Sequence, residues 1–117
     1  MPLQRSKTIY IDDMRQAANR ILEYTDGLDF EGFRAQQIVV DAVLRNFEIL
    51  GEAASHVSAD VRAMAPDIEW QRIKDFRNVV AHFYRGVDLP LTWTLVREGI
   101  PALLPLLGVL RAAMPDD

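Results

Sequence analysis

Apolar residues recur along this chain at the three- and four-residue spacing of a helical face, and the two-residue alternation of a half-buried strand is missing. Ile11, Met14, Ala18, Ile21 and Leu22 mark the inner side of a first helix that begins after Ser6 or Thr8 and stops at Gly27. Asp12, Arg15, Asn19 and Glu23 fall on its other side. A second, longer helix is expected from about Arg34 to Val57, because Ile38, Ala42, Val43, Phe47, Leu50, Ala53, Ala54 and Val57 hold one apolar stripe. The β-branched run Ile38-Val39-Val40 is embedded in that longer pattern. Gly51 lies inside the helix, where glycine costs about 1 kcal/mol relative to alanine. The usual compensation is close approach by another backbone, so a tight helix crossing is expected there.

Further on, Ser58 can cap a short third helix through Met64, and Pro66-Asp67 ends it and caps the next. The fourth helix is expected from Glu69 to about Tyr84, burying Trp70, Ile73, Phe76, Val80 and Phe83 before Gly86 ends it. Asp88 caps a fifth helix containing Pro90, Trp93 and Val96, which Pro101 should break or kink before a last apolar segment ending near Leu110. No repeat or change of composition divides the chain, so residues 1–117 read as one domain. The expected fold is all-α, a bundle of four or five helices joined by short loops.

Composition narrows the chemistry. Of the 117 residues, 50% are apolar and 26% charged, as in an ordinary globular domain. The absence of cysteine removes disulfides, thiolate metal sites and a cysteine nucleophile, and a reducing cytoplasm fits it. Asp12 and Asp13 interrupt any signal-like apolar stretch near the N-terminus, so export is not indicated. The most apolar tract, Ile100 to Leu110, is about half the length a membrane span needs and reads as core. His56 and His82 stand without the partners a metal site needs, and no glycine-rich phosphate loop is present, so neither metal nor cofactor is expected. The net charge of −4 argues against non-specific coating of nucleic acid. Between Arg72 and Arg85, however, four cations (Arg72, Lys74, Arg77, Arg85) stand against Asp75 alone. Arg72, Lys74 and Arg85 are candidate RNA contacts, although such a run also suits a solvated helix face.

The polar cluster at the end of the fourth helix, Arg77, Asn78, His82, Tyr84 and Arg85, has the richest chemistry in the chain. Histidine moves protons near neutral pH, and arginine grips a phosphate through two parallel hydrogen bonds. Together they suffice to cleave RNA without a metal. Arg77 and His82, five residues apart, point roughly 140° apart on a regular helix, whereas Asn78 and His82, and likewise Arg77 and Tyr84, share faces. Either the helix distorts before Gly86, or a two-fold dimer brings two copies of the motif into one cleft; the dimer is the expectation.

Arg77-Asn78-Val79-Val80-Ala81-His82-Phe83-Tyr84 resembles the signature of the HEPN superfamily and, within it, of the HepT-like toxins: arginine, four residues, histidine, one residue, tyrosine. Asp41-Ala42-Val43 through Arg45-Asn46-Phe47-Glu48-Ile49-Leu50-Gly51-Glu52-Ala53 resembles the family's second helix. Pro66-Asp67-Ile68-Glu69-Trp70 resembles its lead-in to the catalytic helix, and Val87-Asp88-Leu89 with Trp93 resembles the segment after that helix. The resemblance implies a homodimer with the motif at its interface and a metal-independent endoribonuclease acting as the toxin of a toxin–antitoxin pair. It also implies an antitoxin of the minimal nucleotidyltransferase (MntA) type, which silences the toxin by transferring AMP to the motif tyrosine, here Tyr84. In that scheme His82 is general acid or base, Arg77 stabilises phosphate charge, and Asn78 orients one or the other.

Two other readings remain. One is a non-catalytic HEPN-like dimer that binds a nucleotide or a nucleotidyltransferase partner; the other is a plain helical dimerisation domain in which Arg77 and His82 only cap and pair. Glu52 could pair with an arginine of the site or stand as an exposed carboxylate. His56, near the end of the second helix, suits the helix dipole and reads as structural. Trp70 and Trp93 read as packing residues.

Overall fold

The computed structural model describes residues 7–82 and 86–115, with the backbone alone for Val79, Ala81 and His82. The first helix, α1 (Lys7–Thr25), buries Ile11, Met14, Ala17, Ala18 and Ile21 along one side. It ends where the sequence requires: Gly27 takes a left-handed φ of 77°, which ends a helix at little cost only when no Cβ is present. The Thr25 hydroxyl donates back to the Ile21 carbonyl at 2.8 Å.

The expected second helix is two. α2 (Phe30–Ala35) starts at Asp29, whose carboxylate accepts from the Gly32 amide at 2.8 Å. It stops at Gln36, which is extended, and α3 (Gln37–Ser55) begins immediately after. The break lets α2 turn Phe33 into the core, where it is fully buried and stacked on Trp93 at 5.0 Å. Ile38, assigned by its spacing to the apolar stripe, is 85% exposed. It sits in the first turn of α3, and the buried side of that helix begins only at Val40.

A short α4 (Ala59–Ala63) comes next. Ser58 occupies its N-cap position, but the hydroxyl bonds the Asp60 carboxylate and makes no backbone cap. Asp60 also pairs with Lys7 of α1 at 2.7 Å. Lys7 first, and then Ser58, hold its carboxyl down to about 2. α5 (Trp70–His82) begins one residue later than expected. Val80 is buried, Ile73 and Phe76 are half-buried, and Phe76 meets Phe47 of α3 edge-on at 5.0 Å. Trp70 is buried with its indole N–H on the Ala65 carbonyl, in keeping with a packing role. Phe83 lies outside the described residues.

Asp88 caps α6 (Leu89–Thr94), accepting from the Leu91 amide at 3.0 Å. The break expected at Pro101 is not found: helical structure runs on from Leu89 to Ala113. The disturbance is a π-turn over Leu95–Gly99, across which the Ile100 amide bonds the Leu95 carbonyl. Pro101, lacking an N–H, then falls in the first turn of α7 (Ile100–Ala113). Helices α1, α3, α5 and the α6–α7 rod form the bundle, with no strand among the described residues. Ile100, Leu103, Leu107 and Leu110 bury one side of the rod in the common core, next to α1. By length and composition this rod could also cross a membrane, and it is longer than the tract read from sequence. Its outward side carries Leu91 and Val109, 44% and 72% exposed.

Candidate active site

The crossing of α3 and α5 at Gly51 positions the site. A Cβ at Gly51 would overlap the Arg77 side-chain stem and lie 3.2 Å from the Ile73 carbonyl oxygen. The missing side chain therefore lets the stem of Arg77 lie directly on the backbone of α3, the close approach expected from a mid-helix glycine.

Once the stem is laid down there, the guanidinium meets the next residue of α3. Arg77 Nη1 donates to Glu52 Oε2 at 2.5 Å. Nε and Nη2 donate to Asn78 Oδ1 at 3.2 and 2.7 Å, so the fork is closed on one side by the neighbouring amide. Among the described residues these bonds take one N–H from each nitrogen and leave one on each Nη, a pair suited to two oxygens of a phosphate. Arg77 is 28% exposed, so a ligand can reach it.

Glu52 is anchored from both sides. Its Oε1 faces His56 Nε2 at 3.1 Å, and the His56 ring stacks on Tyr10 of α1 at 5.2 Å with planes 22° apart. Hydrogen bonds from His56 and from Arg77 hold the Glu52 carboxyl below its usual range, so it stays charged into mildly acidic solution. Tyr10, Glu52 and His56 border a cleft of about 520 Å³ between α1 and α3. Asn46, further back on α3, is buried; its amide donates to the Ala42 carbonyl, and its Oδ1 has no partner among the described residues.

The structure thus brings Arg77, Asn78 and Glu52 together and sets Arg72 apart. Arg72 pairs with Glu69 at 3.2 Å and lines a separate groove whose rim carries Asp67, Asp75 and Glu98. Lys74 is half-buried on α5, three residues before Arg77. His82 is the last residue of α5; its side chain, and the whole of Tyr84 and Arg85, lie outside what is described. Sequence reasoning missed the link from His56 to Glu52. Its signal was the four-residue spacing on one helix, which stacks two side chains on one face.

A profile of the family described as "Ribonuclease HepT-like" matches residues 14–110, from α1 to α7 and across the whole Arg77–Tyr84 motif. The chain belongs to the HepT-like ribonuclease family. Over 101 residues it is 35% identical to the "Probable ribonuclease HepT" of Thermococcus cleftensis, covering 86% of this chain and 92% of that one. Over 100 residues it is 31% identical to a "Putative RNase" of Methanocaldococcus jannaschii, with the same coverage of each chain. No solved structure matches it. By family the protein is a ribonuclease, and HepT-like membership agrees with the all-α bundle.

Proposed function

We propose that this HepT-like ribonuclease is the toxin of a cytoplasmic toxin–antitoxin pair and cleaves RNA without a metal, using Arg77 and His82. The observation that carries the reading is the Arg77 guanidinium, oriented by Glu52 and Asn78 with, among the described residues, one N–H on each Nη left for a phosphate. His82, on the same helix, removes the proton of a ribose 2′-hydroxyl as that oxygen attacks the adjacent phosphorus, or returns a proton to the departing 5′-oxygen. Arg77 neutralises the charge that builds on the non-bridging oxygens. Asn78, bonded to Arg77, fixes the plane of the guanidinium. Lys74 and, by its place in the sequence, Arg85 are further candidate RNA contacts; Arg72, tied to Glu69, is the weakest of the three.

The working unit is a homodimer. α5 is a helix through His82, and on a regular helix a five-residue step turns by roughly 140°. One helix therefore does not aim both side chains at one phosphate, and a second subunit supplies the missing partner.

Regulation falls to Tyr84 and an antitoxin of the minimal nucleotidyltransferase type. The phenol oxygen attacks the α-phosphorus of ATP, loses its proton and releases pyrophosphate, leaving AMP on the site. The added bulk and negative charge then repel RNA. The test is cleavage of RNA in EDTA by wild type and by His82→Ala, with intact mass measured after co-expression with an adjacent nucleotidyltransferase gene. Cleavage lost in the variant and AMP-sized increments lost in Tyr84→Phe are the expected results. Full activity of His82→Ala would refute the histidine mechanism, and an unmodified wild type would refute the switch.

A further inference from the structure

We infer that His56 is a positioning residue for RNA binding, acting through Glu52 on the charge that Arg77 presents to a phosphate; the inference rests on Arg77 being the phosphate contact. Three helices meet at this point. Tyr10 of α1 stacks on the His56 ring, His56 and Glu52 share one face of α3, and Arg77 of α5 reaches the other oxygen of the same carboxylate. His56 is the C-cap residue of α3 and half-exposed, so its ring is fixed by the stack and the hydrogen bond while remaining open to protons from solvent.

The other charged groups around the cleft are Asp13 on α1 and, on α3, Arg45 and Glu48, which pair with each other at 2.9 Å. The carboxylate of Glu52 is held instead by His56 and Arg77, one on each oxygen.

Either protonation state of His56 can donate from Nε2, since the neutral tautomer with its hydrogen there also bonds a carboxylate. Titration therefore changes the charge of the chain His56–Glu52–Arg77 without requiring its bonds to break. With a neutral imidazole the carboxylate offsets Arg77, and the chain is neutral. With an imidazolium the carboxylate is shared between two cations, the chain carries one positive charge, and Arg77 presents a stronger field to an incoming phosphate. RNA should bind more tightly on the acid side of the His56 transition, and the chemical step should not change with it. The chain has two histidines, so replacing His56 leaves His82 as its one imidazole.

The experiment compares wild type with His56→Gln, whose amide N–H can still reach Glu52 but carries no charge. KM and kcat for a short RNA are measured from pH 6 to 8 at low salt. Across Glu52 and Arg77, one unit charge acting over about 10 Å through water-like screening corresponds to about a twofold change. The wild-type KM should rise by that factor relative to His56→Gln across the range, with the two kcat profiles parallel. Superimposable KM profiles would overturn the inference, as would a change confined to kcat. A second measurement needs neither RNA nor the variant. The His56 ring resonances of RNA-free wild type should titrate with a midpoint that moves up in Arg77→Ala, because Glu52 is then left to the imidazole alone. An unmoved midpoint would again overturn the inference. If the midpoint moves and Arg77→Ala still cleaves RNA at full rate, the coupling stands and the assignment of Arg77 to the phosphate falls.

Discussion

The two sides of α3 are built from the same 19 residues and do opposite work. On its apolar side Val43 and Phe47 join Ile11, Met14 and Ile21 in a dry core, and Phe47 also meets Phe76 of α5. Toward α5 it presents Gly51 and Glu52, where one side chain is missing and the next is a carboxylate on a guanidinium. The first contact stabilises by area removed from water, of order 25 cal/mol per Å². The second adds little stability, since Glu52 is 56% exposed and such pairs contribute about 0–1 kcal/mol. What it supplies is direction. A rigid apolar side holds the helix still so that the polar side can hold one cation in one place.

The largest effects should separate the two sides cleanly. Ile21→Ala removes a fully buried side chain and should cost about 2–5 kcal/mol by urea unfolding, with cleavage per folded molecule unchanged. Arg77→Ala should do the reverse, lowering kcat/KM by about 10²–10³-fold while unfolding shifts by about 1 kcal/mol or less. If Arg77→Ala proved as destabilising as Ile21→Ala, the α3–α5 crossing would be core after all, and the two sides of α3 would not differ in their work.

The dry side was the more legible in the sequence because burial tracks period. Ile11, Met14, Ile21, Val43 and Phe47 all fell on predicted stripes and all are buried. The failures lie where the period survives a change in the chain's course. Nothing in the apolar pattern interrupts residues 34–57, yet Gln36 breaks the helix; the local signal was Asp29 capping Gly32, which opens a separate α2. Ile38, nine residues before the buried Phe47, stands about 180° from it on a regular helix and so falls on the outer side of α3. Pro101 was readable as a disturbance but not as a π-turn, since a wider helical turn carries the chain past a missing N–H as well as a kink does. At the site, Gly51 announced the crossing, because mid-helix glycine is costly without a reason. Glu52 was legible only as a possible partner for an arginine, and its tie to His56 went unread because an exposed pair on one helix is ordinary.

Gly51→Ala addresses both sides at once. The new Cβ would overlap the stem of Arg77 near the Ile73 carbonyl, so either α5 moves off α3 or the arginine takes another rotamer. Overpacking of this kind costs about 1–3 kcal/mol, and here it should also lower cleavage because the displaced group is Arg77. Differential scanning calorimetry and the RNA assay, run on the same preparation, check the two parts. Loss of stability with cleavage intact would mean that the guanidinium finds its place without the close crossing.

Gly108→Ala is the matched control and carries the smallest expected effect. Gly108 also lies inside a helix, in α7, with an ordinary helical backbone, but a Cβ there meets nothing within 4 Å among the described residues. Without a close approach to compensate for it, the glycine retains only its entropic cost, and alanine should raise stability by about 0.5–1 kcal/mol, seen as a modest upward shift of the thermal midpoint. The substitution also probes what lies outside the protomer. Leu107 on one side of it is fully buried and Val109 on the other is 72% exposed, so Gly108 sits at the edge of the apolar surface of the α6–α7 rod. If a second subunit packs its backbone onto that edge, alanine would clash there as it does at Gly51. The thermal midpoint would then fall, and sedimentation would show monomer appearing at concentrations where the wild type is dimeric. A rise in the midpoint with no change in sedimentation would place any subunit contact elsewhere on the rod.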